Sequence, residues 1–141
     1  IDTACGYPLC SQKILEDAEI KVILFPPDRE SIDAFFRAET ESRDDYFFIV
    51  GNYRSEVSCR PVNISKRYHV PLERIGMIPY NFSFEQAMLD GSTITYLAQN
   101  MRCSRRSKEY WFFRCATETV KNLRKYVIHR RNMQCGECEK V

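Results

Sequence analysis

The sequence contains seven cysteines, which could bind a metal, act in redox chemistry or form disulfide bonds. The last two form a Cys-x-x-Cys pair, which elsewhere is half of a zinc site or a redox-active dithiol. A zinc site needs a second pair, and only Cys5 and Cys10 come near a suitable spacing. A redox pair needs a helix N-terminus, whereas this pair follows a predicted helix. We therefore favour disulfide bonds and predict neither a metal nor a cofactor. The disulfide candidates are Cys5, Cys10, Cys59, Cys103, Cys115, Cys135 and Cys138.

The two histidines do not form a catalytic pattern. Neither His69 nor His129 has a nucleophile or a second metal ligand at a useful spacing, so we expect both at the surface. Glu56 and Glu85 could act as general acids or bases. Nothing in the sequence indicates that the pKa of either carboxyl group is adjusted for that work.

Two basic segments, residues 102–108 and 121–131, lie close to Tyr110, Trp111 and Tyr126. Such cations could follow a nucleic-acid backbone while bases stack on the aromatic rings. The solvated surface of an ordinary loop and helix accounts for them equally well. The candidate contacts for RNA or a protein partner are Arg105, Arg106, Lys108, Lys121, Arg124, Lys125, Arg130 and Arg131.

The composition indicates one secreted domain spanning residues 1–141. Charge is nearly balanced, with 21 basic and 19 acidic residues, so the net charge of +2 says little about partners. The cysteine content and the glycosylation sequons at Asn63 and Asn81 favour secretion. No apolar run reaches the roughly 18 residues that a membrane span needs, so we expect no membrane contact. Ile1 fits a mature terminus after signal-peptide removal, and an arbitrary boundary fits it equally.

The apolar pattern of the first half predicts two strands and a helix. Residues 20–25 are rich in β-formers and stop at Pro26-Pro27, after which an amphipathic helix is predicted over residues 28–40. The continuous apolar run at 46–50 predicts a central strand. Residues 57–62 predict a further strand, which Pro61 restricts to an edge or a bulge.

In the second half, Asp90-Gly91 between two apolar-rich runs predicts a β-hairpin. Residues 110–115 alternate in the period of a strand and would direct Cys115 into the core. Residues 63–76 are expected to form a loop, and residues 117–132 a helix with a basic face. The predicted fold is α+β: an antiparallel sheet of four to five strands packed on one helix, with an additional C-terminal helix.

This order of elements resembles the small secreted guanyl-specific ribonucleases of fungi. Four short segments carry the resemblance: Ala4-Cys5-Gly6-Tyr7, Arg60-Pro61-Val62, residues 89–98 and Phe112-Phe113-Arg114-Cys115. The resemblance implies a ribonuclease-like core over residues 4–115 and a helical extension over 116–141. It also implies a disulfide from Cys115 to Cys5 or Cys10, and we add Cys59 with Cys103 as a guess.

The family's catalytic positions are replaced in this chain. Tyr96 stands where the family has a histidine, Cys59 where it has the glutamate base, and Asn81 near the position of its arginine. A ribonuclease needs a base, an acid and a cation that converge on one phosphate. The resemblance therefore implies a fold that has lost the activity, so we predict that the protein is not an enzyme.

A secreted protein with a ribonuclease-like fold and a lost active site resembles the ribonuclease-like effectors of powdery mildew fungi. The Tyr-x-Cys motif of these effectors corresponds here to Tyr7-Pro8-Leu9-Cys10, which is one residue longer. The resemblance implies delivery into a host plant cell and binding of host components: a plant protein such as an intracellular immune receptor, and RNA. Two alternatives stay open. One is an active ribonuclease with a rearranged site at Glu56, Arg60 and His69. The other is a disulfide-rich ligand that dimerises through its odd cysteine.

Overall fold

The structure, a computed structural model, describes residues 13–14, 17–38, 45–55 and 59–138, with residues 38 and 134–138 described by their backbone alone. Three strands and five α-helices of at least eight residues lie in this part of the chain. A short 3₁₀ turn, Leu72–Arg74, precedes the third strand. In chain order the elements are β1 (Lys21–Phe25), α1 (Arg29–Ala38), β2 (Tyr46–Tyr53), α2 (Pro61–Tyr68), β3 (Ile75–Pro79), α3 (Phe82–Leu89), α4 (Thr93–Asn100) and α5 (Tyr110–Cys138).

The sheet is parallel, in the order β1-β2-β3, so the predicted antiparallel sheet of four to five strands is wrong. Val22 pairs with Phe47 between the first two strands, and Val50 pairs with Met77 between the last two. Parallel neighbours need a crossover of a dozen or more residues, which usually contains a helix. Here α1 and α2 provide the two crossovers. The strand at 46–50 is central, as predicted.

One face of the sheet packs against α1 and α2. Phe48 is fully buried and lies with its ring 5.3 Å from that of Phe36 in α1. Ile32 of α1 and Ile64 of α2 complete the same core cluster. Burial of apolar side chains of this size contributes about 1.5–3 kcal/mol each, so this core cluster contributes substantially to stability.

The other face packs against α5. The ring of Phe47, which is fully buried, lies 5.8 Å from that of Tyr126. The hydroxyl of Tyr126 donates to the carbonyl oxygen of Asp45 at 2.6 Å, and Arg130 forms an ion pair with the Asp45 carboxylate at 2.8 Å. The helix predicted at 117–132 is therefore present, within a longer helix that belongs to the core. The predicted boundary between residues 115 and 116 lies inside it.

The Asp90-Gly91 turn joins two helices, so the predicted β-hairpin is wrong. Gly91 has a φ of 68°, whereas Asp90 stays in the right-handed region at −81°. The N–H of Ser92 bonds the carbonyl of Ala87, and that of Gly91 bonds the carbonyl of Met88. This is the Schellman pattern of a helix end. A glycine with positive φ occurs both in a β-hairpin turn and at a helix end, so the Asp-Gly sequence alone does not distinguish the two.

Three further assignments also need correction. Residues 110–115 open α5, because their apolar positions continue at helical spacing and bury Phe112, Cys115 and Thr119 on one side. In the segment predicted as a strand at 57–62, residues 59–60 are irregular and Pro61 begins α2, the first helical position that proline favours. The stretch 63–76 contains most of α2, the 3₁₀ turn and the start of β3 instead of a loop.

Candidate functional site

The carboxyl ends of the three strands lie at one edge of the sheet, and α1, α2 and α3 begin there. In open parallel sheets, ligands bind in the crevice outside the carboxyl ends of the strands. Helix N-termini also present unpaired N–H groups that favour anions. This edge is therefore the first place to look for a site.

The end of β2 is irregular at this edge. The register between β2 and β3 shifts between Val50 and Tyr53, and Asn52 adopts a left-handed φ of 50°. Asparagine tolerates this region better than most residues, and bulges are enriched beside active sites. Arg54, the first residue after β2, lies with its guanidinium carbon 4.6 Å from the centre of the ring of Tyr80, which follows β3.

Tyr80 connects this edge to α3. Its hydroxyl donates to the Glu85 carboxylate at 2.8 Å. This hydrogen bond, together with burial, raises the pKa of Tyr80. The phenol is therefore a fixed hydrogen-bond donor, and Arg54, Tyr80 and Glu85 form one connected polar row beside the strand ends.

A groove of about 630 Å³ runs along the outer side of β3, between α2 and α5. Its volume lies within the range of about 300–1,000 Å³ that small-molecule sites occupy. The residues that line it on the strand and α2 side are Tyr53, Ser55, Arg60, Pro61, Val62, Leu72, Ile75 and Met77. Those from α5 are Trp111, Arg114, Cys115, Glu118, Thr119 and Asn122. We call it the β3 groove.

The β3 groove combines an aromatic surface with cations. Trp111 is a large apolar side chain that is 49% exposed, which leaves its ring available for stacking. Arg60 precedes the first turn of α2, and Arg114 lies one turn after Trp111 on α5. Among the described residues, neither guanidinium forms an ion pair or a side-chain hydrogen bond. Glu118, half of an exposed pair with Lys121, adds an acceptor.

Two of the replaced catalytic positions meet in a buried cluster next to this edge. Asn81, which caps α3, and Tyr96 of α4 both donate to one carboxylate oxygen of Glu109, the latter at 2.7 Å. Ser83 donates to the other oxygen at 3.0 Å. Burial raises the pKa of Glu109, but these hydrogen bonds lower it by more, so it lies below its usual range. Because each oxygen has a donor, the cluster is a structural junction of α3, α4 and α5.

Two residues of the alternative ribonuclease site, Arg60 and His69, do not come together. Arg60 precedes α2, whereas His69 ends it in a left-handed conformation, with a φ of 57°. A helix of this length separates them by about 13 Å, at 1.5 Å per residue. Glu56 lies outside the described residues. The third replaced position, Cys59, is buried in the α1–α2 core.

The described residues test only some of the predicted disulfide bonds. Cys103 and Cys115 carry free thiols in the structure, so neither the pairing of Cys59 with Cys103 nor a bond from Cys115 to the N-terminal arm is formed there. Cys5 and Cys10 lie outside the described part, as do the side chains of Cys135 and Cys138. Burial raises the pKa of the Cys115 thiol to about 11, although Arg114 opposes the shift. The disulfide framework stays a prediction.

The predicted contact residues for RNA or a partner lie mostly at the surface. Three of them, Arg105, Arg106 and Lys108, are exposed in the loop between α4 and α5. Arg130 is the exception on α5, since it pairs with Asp45. The exposed contacts on α5 are Lys121, Arg124, Lys125 and Arg131.

Sequence reasoning names Trp111 as a ring for base stacking but does not join it to Arg60 and Arg114, because a strand over residues 110–115 places Trp111 and Arg114 on opposite faces. It also missed Asn52. The available signal was the apolar β2 run that ends directly in Gly51-Asn52, an arrangement that suits the end of a buried parallel strand as well as a turn.

The fold and the groove define a domain with a parallel three-stranded sheet, helices on both faces and a ligand-sized groove beside an outer strand. No known protein family, curated protein or solved structure matches the chain. Within the described ranges, no cluster of histidine, cysteine and acidic side chains could hold a metal ion. None of the helices in the described part combines the length and apolar character of a membrane span.

Proposed function

We propose that this domain binds an anionic small molecule with a flat ring, of the mononucleotide class, in the β3 groove. The observation that carries the proposal is that one groove is lined by the half-exposed Trp111 and by Arg60 and Arg114, two guanidinium groups that form no ion pair within the described part of the chain. The protein acts by binding in this proposal.

Each part of such a ligand has a counterpart in the groove. A base or other flat ring would stack on the Trp111 indole, an interaction worth about 1–3 kcal/mol per base. Arg60 stands at the start of α2, so a phosphate beside it would meet a guanidinium and the helix N-terminus together. Glu118 would accept a hydrogen bond from a sugar hydroxyl.

Trp111 also provides the measurement, because it is the only tryptophan of the chain. Titration with AMP, ADP, ATP and GTP should quench its fluorescence in a saturable way for at least one of them. Arg114→Ala should weaken that binding by about tenfold, the value of one charge-assisted hydrogen bond. Arg124→Ala removes an exposed cation from the same helix outside the groove, so we expect it to leave the affinity unchanged.

If none of the four nucleotides changes the fluorescence of Trp111, and calorimetry detects no heat of binding, this function is excluded. Equal losses from Arg114→Ala and Arg124→Ala would also count against the groove, because they would reflect the general charge of α5.

A second candidate is the function predicted from the sequence: a secreted, non-catalytic effector that binds a host protein and RNA. The exposure of Arg105, Arg106 and Lys108 in one loop favours a contact surface there. Binding of a guanosine-containing oligoribonucleotide should weaken steeply with salt if these cations meet phosphates. An Arg105→Ala/Arg106→Ala variant that bound this RNA like the unchanged protein would remove the loop from the hypothesis. Cleavage of the oligoribonucleotide would exclude the non-catalytic reading.

A further inference from the structure

A second cavity, of about 460 Å³, lies between α1 and α2 and is separate from the β3 groove. Its walls carry three cations, Arg29, Lys66 and Arg67, and its apolar surface includes Ile32 and Ile64. The side chains of Asn63 and Tyr68 add polar groups. An apolar surface with a few converging polar groups is typical of a ligand site.

Two of these cations, Arg29 and Arg67, share one carboxylate. Asp33 of α1 lies 3.1 Å from the Nε of Arg67 and 3.4 Å from the Nε of Arg29. It also accepts a hydrogen bond from the hydroxyl of Tyr68. That hydrogen bond, with those of Arg67 and the two positive charges, holds the pKa of Asp33 below its usual range, so the group is ionised at neutral pH.

The charges at this cavity do not balance. Among the described residues, three cations line the cavity and Asp33 is the acid that contacts two of them. Lys66 forms no ion pair or side-chain hydrogen bond with any residue in that part of the chain. The cluster of Arg29, Lys66, Arg67 and Asp33 therefore carries a surplus of two positive charges. A dianion would neutralise it, and guanidinium groups suit phosphate oxygens because they donate two parallel hydrogen bonds.

We propose that the cavity between α1 and α2 binds a phosphate monoester, with the phosphate held by Arg29, Lys66 and Arg67 and the ester group against Ile32 and Ile64. Asp33 occupies the guanidinium groups in the empty site and competes with the incoming phosphate. The affinity of the site for phosphate therefore depends partly on how readily the ion pair between Arg67 and Asp33 breaks.

The competition gives the proposal an unusual test, since removing an acid should tighten binding. With phenyl phosphate as the probe, followed by calorimetry and by amide shifts in ¹⁵N spectra, we expect saturable binding whose shifts centre on residues 63–68. Asp33→Asn should tighten it by about three- to tenfold, because a neutral amide releases both guanidinium groups. Lys66→Ala should weaken it by about tenfold, the worth of one charge-assisted contact.

Two controls separate this site from other anion binding. Lys121→Ala removes an exposed cation of α5 outside both cavities, so it should leave the phenyl phosphate shifts at residues 63–68 unchanged. Inorganic phosphate should bind more weakly than phenyl phosphate, because it lacks the apolar group.

The proposal is overturned if phenyl phosphate does not bind in a saturable way, or if Asp33→Asn weakens binding while its circular dichroism and melting curve match those of the unchanged protein. Should Asp33→Asn fail to fold, the exposed Lys66 still decides the question: a Lys66→Ala variant with unaltered affinity would overturn the site. The amide shifts of residues 63–68 report on this cavity, whereas the fluorescence of Trp111 reports on the β3 groove, so failure of one site can be told from failure of the other.

Discussion

The hydroxyl group of Thr119 accepts a hydrogen bond from the backbone N–H of Met77 at 2.8 Å and donates one to the carbonyl oxygen of the same residue at 3.0 Å. Met77 lies in β3, whose inner side pairs with β2. Thr119 therefore takes the place of a neighbouring strand at the outer side. An open strand edge invites pairing with other chains, and here α5 covers it at this residue.

Replacing Thr119 by valine should lower the free energy of unfolding by about 1–3 kcal/mol, because it leaves the backbone groups of Met77 without partners while keeping the shape of the side chain. Urea denaturation followed by the fluorescence of Trp111 measures this. Thr117→Val is the matched control, since Thr117 is exposed on the same helix and its change should stay within about 0.5 kcal/mol. Equal effects at both positions would show that the edge bonds contribute nothing.

Gly76 in β3 should not tolerate a larger residue. A Cβ atom at this position would lie 2.3 Å from Cγ2 of Thr119, a contact that buried side chains do not make. We expect Gly76→Ala to cost about 1–3 kcal/mol of stability, the usual range for overpacking. Thermal melting of Gly76→Ala and of Gly76→Ala/Thr119→Ser tests the cause, since serine keeps the hydroxyl and lacks Cγ2.

The double variant should recover part of the loss, and Gly51→Ala serves as a second control. There the new Cβ would lie 3.1 Å from Cδ1 of Leu24, an exposed side chain that can move aside. If Gly51→Ala proved as harmful as Gly76→Ala, the close approach to Thr119 would not be the cause of the loss at Gly76.

The first half of the fold could be predicted because its signals are local. The strands predicted at 20–25 and 46–50 and the helix predicted at 28–40 follow from apolar runs and from the prolines at 26 and 27, and the structure has β1, β2 and α1 in these places. Strand direction is not local, because it depends on what connects the strands. The fully apolar run at 46–50 did carry a sign of a parallel sheet, buried on both faces, and the Asp90-Gly91 turn was wrongly given more weight.

The candidate site could not be predicted because it is made by tertiary contact. Met77 and Thr119 both line the β3 groove, and they are separated by 42 positions in the chain. A window of six residues over 110–115 fits a strand and a helix equally. Only the continuation to Tyr126, also buried, shows the helical period. Arg60 was named from the sequence, but for catalysis and without Trp111 or Arg114.

The turn at Gly91 offers a test of the helix ending that replaced the predicted hairpin. Nothing lies within 4 Å of a Cβ added there, so only the φ of 68° opposes a side chain. Gly91→Ala should therefore destabilise the protein by about 1–2 kcal/mol, the cost of the left-handed region for a residue with a Cβ. Gly91→Asn should cost less, since asparagine enters that region more readily. Chemical denaturation of the two variants gives the order, and an alanine variant at least as stable as the asparagine variant would contradict this account of the turn.

Cys115 should react slowly with alkylating reagents. It is 8% exposed, and burial raises its pKa to about 11, so little of it is thiolate at pH 8. We expect iodoacetamide to label Cys103, which is partly exposed, well before Cys115 in the folded protein. Mass spectrometry of tryptic peptides measures both rates. Protein unfolded without reductant decides the disulfide prediction: labelled Cys115 is a free thiol, whereas labelling only after reduction would support a bond to Cys5 or Cys10.

The Glu109 cluster predicts how stability depends on pH. The folded pKa of Glu109 lies below the value of about 4.3 that a glutamate has in an unfolded chain. The unfolded state therefore binds the proton more readily than the folded state. The contribution of Glu109 is complete at neutral pH and is lost as the pH falls below about 4 and through the folded pKa.

Glu109→Gln should lower the free energy of unfolding at pH 7 by about 1–3 kcal/mol, because one of its carboxylate oxygens becomes an amide group that cannot accept the bonds of its neighbours. Between pH 7 and pH 3 the unchanged protein should lose more stability than the variant, so their melting temperatures should converge. Glu118→Gln, a change at the exposed surface of α5, should follow the unchanged protein throughout. A gap between the Glu109→Gln and unchanged proteins that stayed constant down to pH 3 would mean that the charge of Glu109 is not what holds α3, α4 and α5 together.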